Sequence, residues 1–119
     1  MKKKFIKEPV YESYFWLVWD CDIYQLKDWV LKHYKWEMEI QQGFQHLGKT
    51  ITIETNKHIN WIIWINDKKN FETLSHELFH MTRQTLQTLG IPLNEDTDEV
   101  YAYLFSCYVR LSLEALKKN

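Results

Sequence analysis

At 119 residues the chain is the length of one small domain, and 45 % hydrophobic with 26 % charged residues is the balance of a globular protein. Six Trp, seven Tyr and six Phe can fill a core and exclude a disordered chain; three Gly and two Pro exclude collagen-like and low-complexity ones. A net charge of −1 supplies no global attraction for nucleic acid or an anionic membrane, and neither partner is expected.

Residues 1–10 begin like the basic end of a signal peptide, but Lys7, Glu8 and Pro9 interrupt the apolar stretch that would have to follow. They read as a solvated leader. Tyr11 to Asp20 is aromatic and β-branched and predicts a buried strand. Its apolar run, Tyr14 to Trp19, is too short to cross a bilayer. Asp22 is placed to cap a helix whose apolar positions Ile23, Leu26, Trp29, Val30 and Tyr34 recur at helical spacing. Residues 41–48 hold two glycines and predict a loop. Lys49 to Glu54 alternates, with Ile51 and Ile53 on one face and Thr50 and Thr52 on the other, as a half-buried strand does. Asn56-Lys57 would turn the chain into a second strand, Ile59–Ile65, antiparallel to the first.

A helix is expected from near Asn70 to Leu89, stopped by Gly90 and Pro92. After an acidic loop, Asn94 to Asp98, a last helix runs from about Asp98 to Leu116. The order β, α, β, β, α, α gives an α+β fold in a single domain, 1–119, with a mainly antiparallel sheet of about three strands. Cys21 and Cys107 are too few and too far apart for a disulfide scaffold. Reduced thiols and a cytoplasmic location are expected.

The chemistry is carried by His76-Glu77-Leu78-Phe79-His80. On a helix the two His sit one turn apart on one face, where both imidazoles can reach one metal ion. Glu77 lies about 100° round, too far to join them as a ligand but near enough to reach a water on the metal. The pair points away from the apolar stripe of Phe71, Leu74, Leu78 and Met81, so the helix can pack on a sheet and leave the His face for something else. A site with two His needs a third protein ligand. Glu99, at the start of the last helix, is the first choice; Asp98, Asp96 and Glu95 are rivals that also serve as caps or dipole partners. Tyr103, one turn after Glu99, could donate to a developing oxyanion, as could Tyr101 and Tyr108, although core packing accounts for any one of them. His33 and His46 have no partner at ligand spacing and read as surface residues; His58 reads as a turn residue.

His76 to His80, Leu89-Gly90-Ile91-Pro92 and Asp98-Glu99 followed by Ala102-Tyr103 together resemble small zincin-like metallopeptidases encoded in phages and prophages, and more loosely the gluzincins. The resemblance covers about residues 70–105. It implies zinc held by His76, His80 and Glu99, Glu77 as general base, and a substrate-pairing edge strand at Ile59–Ile65. Position 83 is Arg and 86 is Leu, so the third His of the metzincin pattern is missing. The expected function is hydrolysis of a peptide or protein substrate by zinc-activated water. The alternative is a non-catalytic interaction protein, for example a phage-encoded factor that binds a host protein.

Overall fold

The computed structural model describes residues 1–41, 46–55 and 58–118. Among the described residues seven elements follow one another: β1 (Lys2–Glu8), β2 (Ser13–Trp19), α1 (Ile23–Tyr34), β3 (Gly48–Glu54), β4 (Ile59–Ile65), α2 (Phe71–Thr88) and α3 (Asp98–Lys117). The strands form one sheet in the order β1-β2-β4-β3. β1 pairs antiparallel with β2, β4 antiparallel with β3, and β2 parallel with β4. The fold is α+β as expected, but the sheet is mixed and four-stranded rather than mainly antiparallel with three strands. The turn expected at Asn56-Lys57 and the centre of the 41–48 loop lie outside the described residues.

The extra strand is the segment read as a leader. Four lysines hide its alternation: Ile6 and Glu8 turn inward while Lys3, Phe5 and Lys7 stay exposed. Glu8 is fully buried and fastens the hairpin, accepting from the Tyr11 amide at 3.0 Å and the Ser13 hydroxyl at 2.8 Å. Ser13 in turn shares a 2.6 Å hydrogen bond with the Tyr108 hydroxyl, which ties β2 to α3.

The parallel pair explains a second difference. Ile59–Ile65 is not an edge. All residues from Trp61 to Ile65 are buried, as expected for a strand with neighbours on both sides and layers on both faces. Its near-continuous apolar run was the sign of that position. The edge beside it is β3.

Helices cover both faces of the sheet. Leu26 and Val30 of α1 pack with Val18, Ile51, Ile62 and Trp64. α1 starts at the expected Asp22, whose carboxylate accepts from the Gln25 amide while the Gln25 side chain accepts from the Asp22 amide. The other face holds Phe15, Leu17 and Ile63 against Leu74, Leu78 and Met81 of α2 and Leu104 and Tyr108 of α3. α2 begins after Asn70, whose side chain accepts from the Thr73 amide, and ends at a turn where Gly90 takes φ +79°. α3 returns alongside: Phe79 meets Phe105, and Phe71 and Ser75 share a groove with Val109 and Leu113. The two helices therefore run in opposite directions.

Candidate active site

Three features of α2 place His76, Glu77 and His80. Its apolar stripe seats the helix on the sheet through Leu74, Leu78 and Met81, which turns the two His outward. Their spacing puts them one turn apart, and the Nε2 atoms stand 3.1 Å from each other. Between the stripe and the His face, Glu77 is buried against β3.

Thr50 of β3 holds Glu77. Its hydroxyl lies 2.9 Å from Glu77 Oε1 and 2.9 Å from the Glu77 carbonyl oxygen. The other carboxylate oxygen, Oε2, lies 3.9 Å from His76 Nε2. One oxygen is thus tied to the strand and the other faces the histidines. The polar face of β3, which looks solvent-exposed in sequence, is an interface with α2. Thr52 donates to the Gln84 side chain at 2.8 Å, and Trp61 Nε1 donates to the same oxygen at 3.3 Å.

Gly48 sets how near β3 comes. A methyl at its Cα would lie 2.3 Å from Thr73 Cγ2, 3.0 Å from the Trp64 carbonyl oxygen and 3.3 Å from Glu77 Cγ. Next to this contact is a cleft of about 480 Å³, with His46, Lys49, Glu72, His76 and Glu77 in its wall. His46, read from sequence as a surface residue, is brought into this cleft, where its Nε2 meets the Gln41 carbonyl oxygen at 3.0 Å. Thr50, Gly48 and His46 had no motif to announce them. Only the strand's nearness to the helix gives them a role, and the single available signal was a threonine face on a strand next to the motif.

The structure does not gather the expected third ligand. Among the described residues no group of three or more His, Cys, Asp or Glu is arranged to hold a metal ion. Glu99 is exposed in the first turn of α3, at the end of the molecule near the Gly90 turn. Because α3 runs opposite to α2, its later turns, not its first, come alongside the His pair. The cap of α3 falls on Thr97, and Glu95, Asp96 and Asp98 are exposed around it.

Tyr103 is exposed as well. It stands two residues from Phe105, so it lies about 200° round α3 from the side that meets α2. The other two tyrosines spend their hydroxyls on the fold: Tyr101 donates to the Ile91 carbonyl at 2.5 Å, and Tyr108 meets Ser13 and Thr85.

The chain matches no family model, no curated protein and no solved structure. Among the described residues no helix is long and apolar enough to cross a membrane.

Proposed function

We propose that this protein is a zinc-dependent peptidase whose metal-binding pair is His76 and His80 and whose general base is Glu77. The observation that supports it is the convergence of the two Nε2 atoms at 3.1 Å with a Glu77 oxygen turned towards them. Two nitrogens, each about 2.0–2.1 Å from one tetrahedral zinc ion, lie about 3.3 Å apart, so the spacing of the pair suits the metal. Zinc in such a site polarises a carbonyl and brings the pKa of a coordinated water towards neutrality.

The chain's own residues supply the rest. Glu77 takes a proton from the attacking water through Oε2 and returns it to the leaving amine. Thr50 keeps that carboxylate turned towards the reaction by holding Oε1. β3 offers its outer edge, beside the cleft, to an extended peptide that would pair with it as an added strand. The third donor in this reading is Glu99, which would have to be drawn to the His pair when metal binds.

Elemental analysis of protein purified without chelator or metal-binding tag tests this directly. About one zinc per chain is expected. His76→Ala and His80→Ala should abolish it, and Glu99→Ala should weaken it. Glu77→Gln should keep the metal and lose peptide hydrolysis. Protein that neither carries nor takes up zinc would overturn the reading.

One observation favours the second reading, a non-catalytic interaction protein. Between α2 and α3 an apolar groove opens to solvent, with Phe71, Phe105, Val109 and Leu113 in its walls. Zinc binding without any Glu77-dependent hydrolysis would move the assignment to that class.

A further inference from the structure

α1 covers only part of its face of the sheet. Its buried residues lie over β2, β4 and β3, and none of the residues that β1 sends to that side is buried. The uncovered strip is aromatic. Phe5 is 37 % and Tyr14 42 % exposed, and Trp16 and Trp29 are half-buried. The rings form a chain: Tyr14 to Phe5 at 6.1 Å, Phe5 to Trp16 at 5.1 Å, Trp16 to Trp29 at 5.5 Å and Trp29 to His33 at 5.1 Å. A band of rings thus runs from the hairpin to the last turn of α1.

The charge along this band has one sign on β1. Strand alternation puts Lys3 and Lys7 on the same side as Phe5, where the register sets them beside Val18 and Tyr14. The acid of the strand, Glu8, faces the opposite side and is buried among its own hydrogen-bond donors. Lysines on an edge strand also deter strand pairing between molecules, which accounts for the cations but not for rings left open between them.

We propose that this face binds single-stranded nucleic acid, with bases stacking on Phe5, Tyr14 and Trp16 and phosphates meeting Lys3 and Lys7. Open rings with interleaved cations fit a strand whose bases are unstacked and whose backbone is anionic. The net charge of −1 pointed away from such a partner, and although Lys3, Phe5 and Lys7 alternate in the sequence, the band of rings beside them appears only when β1 pairs with β2. The surface is on the opposite side of the sheet from α2, so it is independent of the metal site.

Fluorescence anisotropy of a labelled oligothymidylate of about 12 nucleotides tests the proposal on the full chain. Binding is expected at low salt. Two phosphate contacts on a single strand give a logarithmic salt slope of about −1.4, or about sevenfold weaker binding on going from about 50 to about 200 mM salt. Lys3→Glu with Lys7→Glu should remove the binding. Phe5→Ala should weaken it about fivefold or more while leaving most of the salt slope. All three positions are exposed, and unchanged thermal melting would show that the variants fold. His76→Ala should bind as the parent does. Absence of binding at low salt, or binding that ignores these substitutions, would overturn the proposal. So would capture by phosphatidylserine vesicles without binding to the oligonucleotide, which would make the band a membrane contact.

Discussion

Glu77 is held from two directions, by its own helix and by a hydroxyl of another element. Thr50 reaches both its carboxylate and its carbonyl, so one side chain fixes the base and the local spacing of strand and helix. Under the proposed function Thr50→Val should lower kcat by about tenfold or more and leave KM nearly unchanged, because it frees the base without touching the cleft wall; general-base assistance is worth about 10²–10⁴ in rate. Steady-state kinetics on a peptide substrate would check the split. Tyr108 carries a prediction that needs no activity. Burial raises its pKa from 10.0 to about 12, with smaller opposing contributions from hydrogen bonds to Ser13 and Thr85. Below pH 10 the phenol is protonated in both folded and unfolded chains and has no effect on the pH dependence. Between pH 10 and about 12 the unfolded chain loses the proton first, so stability falls with rising pH, by at most about 3 kcal/mol. Urea midpoints at pH 9 and pH 11 should differ more for the parent than for Tyr108→Phe.

At the scale of elements, α2 and the Asp22 cap of α1 were legible in sequence because their signals are local: a helical period, an aspartate just before it and a glycine stop. The motif on α2 was equally legible, since i to i+4 spacing fixes the geometry of the His pair. β1 was not, because its lysines mask a two-residue period that only Ile6 and Glu8 reveal. The position of Glu99 relative to the histidines was beyond the sequence too, since it depends on the direction and rotation of α3 against α2. The approach of β3 to α2 has a direct test in Gly48→Ala. The new methyl would meet Thr73 Cγ2, which belongs to a side chain, and the Trp64 carbonyl, which is backbone and yields less. A loss of about 1–3 kcal/mol is expected, the usual range for overpacking, measured by denaturant unfolding. Asp22→Ala should cost about 1 kcal/mol by the same measurement, through loss of the cap alone.

Across the whole molecule, β1 closes one side of the sheet and supplies the acid that satisfies Ser13. Deleting residues 1–9 would strip the β2 edge and leave Phe15 next to unpaired backbone groups. Size-exclusion chromatography should then show dimers or larger species where the full chain gives none from this cause. The parallel contact between β2 and β4 has a consequence of another kind. Each hairpin, β1 with β2 and β3 with β4, joins strands that are close in the chain, whereas partners such as Leu17 and Ile63 are separated by all of α1 and β3. Closing that long loop is the slow entropic step, so the two hairpins should form early and their docking should limit the refolding rate. Stopped-flow chevrons would display it: Ile63→Val should slow refolding and leave the unfolding rate nearly unchanged. That seam would then decide how quickly the chain can fold, and contacts completed after it closes would decide how long the folded protein lasts.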